Sequence, residues 1–118
     1  MRNDKPNIIV ELTFKFALKI ISFSEKLSSN GKTVVANQLL KSGTSIGANV
    51  REAQNAESKA DFIHKLKIAA KEVDETIYWL DLAKYSDGYP YDEELSEQIS
   101  VIEKVISKII STTKKSKS

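Results

Sequence analysis

A chain of 118 residues has the length of one domain, and on folding it buries roughly two thirds of the surface its unfolded form exposes, enough for a core without covalent staples. It contains no cysteine, which excludes disulfides and thiolate metal sites and suits a reducing, cytoplasmic compartment. A formal net charge of +2 excludes any inference from bulk basicity to a nucleic-acid partner.

Near the amino terminus apolar residues are interrupted by Glu11, Lys15 and Lys19, and no small-residue cleavage site follows, so neither a signal peptide nor a membrane span is expected. Pro6 suits the start of a helix, predicted over about 7–28. Ile9, Leu12, Phe16, Ile20, Phe23 and Leu27 make one stripe at helical spacing, and Val10, Phe14, Ala17, Leu18 and Ile21 make a second. So broad an arc exceeds what one bundle core needs. It predicts either a wide core that partly covers Phe14 or, preferred, a subunit interface through Phe14, Leu18 and Ile21.

Ser28 to Gly31 end this helix, with Gly31 suited to the left-handed position past the last turn. A hairpin at Asn30 and Gly31 is rejected, because the flanks repeat with helical period. Thr33 is expected to cap a second helix over about 34–55. Leu39, Gly43, Ile46, Val50 and Ala53 form its apolar stripe, with Ser42, Ser45, Asn49 and Glu52 beside it. Gly43 and Gly47 each weaken a helix by about 1 kcal/mol relative to alanine, which points to the close approach of another backbone.

Ser58, with Asp61 three residues on, reads as a weak capping box opening a third helix over about 59–86. Its core stripe is Phe62, Leu66, Ala69, Val73, Ile77 and Leu80; a mixed neighbouring stripe carries Ile68, Glu72, Glu75 and Trp79. Trp79 is expected to be buried with its N–H near a polar partner. Ser86 to Pro90 form the clearest break. Asp92 then caps a fourth helix, about 93–112, with Leu95, Ile99, Ile102, Ile106 and Ile109 inward, and a frayed polar end follows. The expected fold is all-α: a single domain over 1–118, an up-down-up-down antiparallel four-helix bundle.

The run KSGTSIGANVREA, followed by ESKADFIHKLKIAAKE and ETIYWL, resembles the bacterial four-helix-bundle family named for proteins encoded in 23S ribosomal RNA intervening sequences. The resemblance covers about Thr13 to about Ile106. That family is similar to the accessory variability proteins of diversity-generating retroelements, which form pentameric barrels and contact nucleic acid. It implies a homopentameric ring of bundles and a nucleic-acid or nucleoprotein partner, and it marks Ser42, Gly43, Ser45, Ile46, Gly47, Asn49, Glu52, Glu72, Glu75 and Trp79 as motif positions.

Catalytic patterns are weak. Carboxylate-bridged metal centres in bundles use paired Glu-x-x-His motifs; the single histidine, His64, has no glutamate three residues before it, so no metal and no cofactor is expected. Glu52, Glu72 and Glu75 are expected to bond Ser45, Asn49 or backbone groups, or to pair with lysines across a subunit boundary. Asn30 to Thr33 mimics the end of a phosphate-binding loop, but Lys26 stands where its first glycine belongs. No serine has an evident base, and no enzyme is expected. Lys15 and Lys19, and Lys41, Arg51, Lys65, Lys67 and Lys71, are the candidate phosphate contacts, although Glu57, Asp61, Asp74 and Asp81 interleave with them. The alternative is a protein–protein interaction module with no nucleic-acid role.

Overall fold

The computed structural model describes residues 7–116; Pro6 and the last two tail positions lie outside them. The four helices are α1 (Ile8–Ser29), α2 (Thr33–Ala53), α3 (Lys59–Tyr85) and α4 (Glu93–Lys115). Among the described residues there is no strand. Each helix packs on its sequence neighbours, and α4 closes the bundle against α1. The pairing is antiparallel: Gly43 on α2 meets Ile20 on α1, while Gly47, further along α2, meets the earlier Thr13. Across the next seam Ser42 meets Thr76, while the later Glu52 meets the earlier Lys65. The result is a rod of 51 × 22 × 20 Å.

Helix ends follow local chemistry. Asn7 caps α1 by accepting from Val10 N, Ser58 caps α3 by accepting from Asp61 N at 3.0 Å, and Asp92 caps α4 by accepting from Glu94 N at 3.0 Å. The Asp61 carboxylate reaches back to Glu57 N at 3.1 Å, one residue earlier than a capping box requires. At the α1 end, Gly31 has φ +77°, Lys32 N bonds to Leu27 O and Gly31 N to Ser28 O, the pattern of a Schellman cap. This compact turn corrects the reading of Thr33 as a cap. Lys32 occupies the cap position, its carbonyl accepting from Ala36 N at 3.1 Å, and Thr33 is already the first residue of α2. Helix α2 stops at Ala53 rather than Asn55, because Gln54, Asn55 and Ala56 N–H groups bond three residues back and tighten the last turn. Helix α4 runs on to Lys115 instead of fraying near Ser111. Thr113 Oγ1 donates to Ile109 O at 2.7 Å, and Lys59 Nζ on α3 bonds to the Ser116 carbonyl.

The core takes most of the four predicted stripes: Phe16, Ile20 and Leu27 from α1; Leu39, Ile46 and Val50 from α2; Leu66, Val73 and Leu80 from α3; Leu95, Ile102 and Ile106 from α4. Leu12, Phe62, Ile77 and Ile109 pack against it partly buried. Full burial of one such side chain contributes roughly 1.5–3 kcal/mol. Four hydroxyl residues share that interior, Thr13, Ser24, Ser42 and Thr76. Thr76 Oγ1 lies 2.7 Å from the Glu72 carbonyl and 3.0 Å from Ser42 Oγ. With one proton per hydroxyl, Thr76 donates to the carbonyl and Ser42 to Thr76, so both are satisfied.

The α1–α2 seam is closely packed. A Cβ on Gly43 would sit 2.8 and 2.9 Å from the γ carbons of fully buried Ile20, and one on Gly47 would lie 3.3 Å from the Thr13 carbonyl oxygen. Gly43→Ala should therefore lose roughly 1–2 kcal/mol, overpacking exceeding the gain in helix propensity, and Gly43→Leu should fail to fold. Thermal denaturation followed by circular dichroism checks both; an unchanged Tm for Gly43→Ala contradicts the close packing.

Candidate functional site

Close packing of α1 on α2 leaves the second stripe of α1 outside. Phe14 is 52% exposed, Leu18 51% and Ile21 39%, and Leu40 on α2 is 39% exposed beside them. Val10, Phe14 and Ala17 face Thr44, Ala48 and Arg51 across an open groove of about 300 Å³ floored by Thr13 and Gly47. Arg51 lies over the Phe14 ring, 5.8 Å from its centroid, where a guanidinium is held by the ring's negative face. This groove is bounded by apolar walls and one cation. Phe14 is thus about half covered, by Arg51 and the groove, as the wide-core alternative expects, while Leu18 and Ile21 keep much of their surface in water.

The motif positions divide between two seams. Gly43 and Gly47 meet α1 and are used up inside the bundle, so they carry no evidence of assembly by themselves. Ser42 and Ile46 are buried toward the core. On the α2–α3 side, Ser45 Oγ donates to Lys41 O at 2.7 Å and Asn49 Nδ2 donates to Ser45 O at 2.9 Å. These bonds within one helix replace the expected bonds to glutamates. Glu52 is exposed and pairs with Lys65 of the same chain at 3.5 Å, and Glu75 is exposed. Glu72 is half-buried; burial pushes its carboxyl above the usual range, Glu75 adds to the rise, and Lys41 opposes it.

Trp79 is half-buried, its ring edge-on to Tyr78 at 5.2 Å. Its Nε1 is enclosed without a hydrogen-bond partner, which corrects the expectation of a polar neighbour. The indole contributes contact area here and its N–H goes unused.

The basic residues are dispersed. Lys19 pairs with Glu94 of α4, and Lys65 is held by Glu52, so both have local partners. Lys15, Lys41, Arg51 and Lys71 are exposed on different faces. Lys67 has a neighbour that sequence spacing did not reveal: Lys114 of α4 presses against it, and their hydrogen-bonding contact and like charge hold the Lys67 pKa below the ordinary lysine value. Lys71 lies one helical turn on from Lys67 and Lys115 follows Lys114, and Lys59 at the start of α3 bonds the Ser116 carbonyl at the close of α4. Among the described residues no three His, Asp or Glu side chains gather as a metal site requires, and no helix is long and apolar enough to cross a membrane.

These features define an all-α four-helix bundle that carries exposed apolar side chains along its α1–α2 seam. Residues 5–111 match the family described as 23S rRNA-intervening sequence protein, and the chain belongs to that family. It is also similar to a crystal structure of a protein of unknown function from the S23 ribosomal protein family of Bacteroides thetaiotaomicron VPI-5482. That likeness has 40% identity and a TM-score of 0.82, covering 86% of this chain and 97% of the other. No curated protein matches the chain.

Glu72 gives a test of the polar seam. A carboxyl whose pKa is raised by folding favours the folded state at low pH and loses that contribution as pH rises through the usual carboxylate range. Glu72→Gln should accordingly have a slightly higher Tm than the wild type near pH 7, with the gap closing toward about pH 4. A gap that widens on acidification contradicts the assignment.

Proposed function

We propose that this chain is a non-enzymatic scaffold that self-associates through the α1–α2 seam and presents its lysine-rich end to the phosphates of RNA or DNA. The observation that carries the reading is the row of Phe14, Leu18 and Ile21 in water. Contiguous exposed apolar surface on a small protein marks an interaction site. One side of the rod, about 33 Å of helix by 20 Å, offers on the order of 700 Å², close to the ~800 Å² per partner of an ordinary stable interface. A closed ring, of five copies as the family resemblance implies, is the arrangement proposed.

Nucleic-acid binding is supported by Lys67 and Lys114. Both ammonium groups are exposed, so water and salt screen part of their mutual repulsion, and a phosphate placed against both is favoured by the pair of like charges. Gathering such ends in an oligomer multiplies the local positive field although one copy carries only +2.

Two measurements test the parts separately. Phe14→Glu combined with Leu18→Glu should sediment as a monomer while keeping the wild-type Tm at low concentration, since both side chains are surface residues; an unchanged sedimentation coefficient removes the seam as the contact. For the second part, Lys67→Ala/Lys71→Ala/Lys114→Ala should weaken binding to a labelled RNA hairpin and flatten the dependence of log K on log salt by about 0.7–0.9 per lost phosphate contact. Unaltered affinity and slope remove the lysine end, and salt-independent binding to a protein partner instead favours the interaction-module reading.

A further inference from the structure

The apolar seam is not the only uncovered surface. On α3, Asp74, Tyr78, Asp81 and Tyr85 recur at four-, three- and four-residue steps and so share one stripe. All four are exposed, Tyr78 at 58% and Tyr85 at 78%. Asp81 lines the shallow depression between α3 and α4, on the side of the rod opposite the α1–α2 seam.

The geometry points to a head-to-tail contact in which the α1–α2 groove of one copy receives the Asp74–Tyr85 stripe of the next; it rests on the self-association reading above. Three observations support the pairing. The spacing agrees: Phe14 to Ile21 and Tyr78 to Tyr85 are both seven-residue steps, about 10.5 Å along a helix. The chemistry agrees: tyrosine offers a broad apolar body with a polar tip, the residue favoured where an interface core meets its rim, and the groove wall is apolar. The charge agrees: Arg51 stands at the groove, whereas Asp74 and Asp81 alternate with the tyrosines, so a carboxylate meets the guanidinium as the rings seat.

A two-fold pairing of two α1–α2 seams satisfies none of these on the α3 side. It leaves Tyr78 and Tyr85 in water and halts at a dimer, whereas pairing two different patches continues from copy to copy and closes into a ring where the rotation between copies allows it.

Two surface variants decide the matter by sedimentation velocity. Phe14→Glu/Leu18→Glu spoils the groove and Tyr78→Glu/Tyr85→Glu spoils the stripe. The head-to-tail contact requires each variant alone to be a monomer and their equimolar mixture to form a species of two chains, because one intact groove and one intact stripe remain between them. If Tyr78→Glu/Tyr85→Glu still assembles like the wild type, the stripe is overturned while self-association through α1–α2 stands. If both variants are monomers and the mixture stays monomeric, the two patches are not each other's partners. A wild type that is itself a monomer sinks this pairing and the scaffold reading together.

Discussion

The distance between α1 and α2 governs the rest of the molecule. Gly43 and Gly47 have no side chain to hold α1 away, so Ile20 and Thr13 come into direct contact with the α2 backbone surface. Helices this close leave a shallow groove above the seam, too shallow to shelter large side chains on the outer arc of α1. Phe14, Leu18 and Ile21 are driven outward by that geometry, and each has the apolar surface of a core residue without a core to enter. Two glycines in a helix together sacrifice roughly 2 kcal/mol of propensity. The seam repays this through contact that bulkier residues forbid.

Small hydroxyl residues extend the same device to other seams. Thr13 Oγ1 donates to Ile9 O at 2.8 Å and Thr76 to Glu72 O, each satisfying itself on its own helix while keeping its bulk low. Ser42 completes the α2–α3 contact through Thr76. Elsewhere the accounting is less complete: Ser24 Oγ and Trp79 Nε1 are enclosed without partners, which leaves two donors desolvated and unpaired.

Periodicity made the fold readable before any coordinates. Ile9 to Leu27, Leu39 to Ala53, Leu66 to Leu80 and Leu95 to Ile106 repeat at helical steps without a competing alternation, and the glycine pair announced a close approach. Legibility failed where the decisive group was backbone or lay far away in sequence. The start of α2 is set by Lys32 N on Leu27 O, which no side chain at Thr33 reveals. Thr76 is buried at a core register that no apolar residue marks, and its role shows only once Ser42 is opposite it. The lysines misled most: Lys19 and Lys65 are neutralised by Glu94 and Glu52, and Lys67 gains Lys114 from another helix. Motif residues carried the family, and the helix faces they occupy had to come from packing.

The proposed role follows from one imbalance, that a rod with a complete core still carries a row of core-type side chains on its flank. The proposed assembly would correct it and would collect the lysines of several copies. The most direct measurement is the molar mass of the purified wild type by light scattering across a dilution series at moderate salt. The account requires a multiple of the 13.2 kDa chain that persists at micromolar concentration; a mass of one chain at every concentration contradicts it.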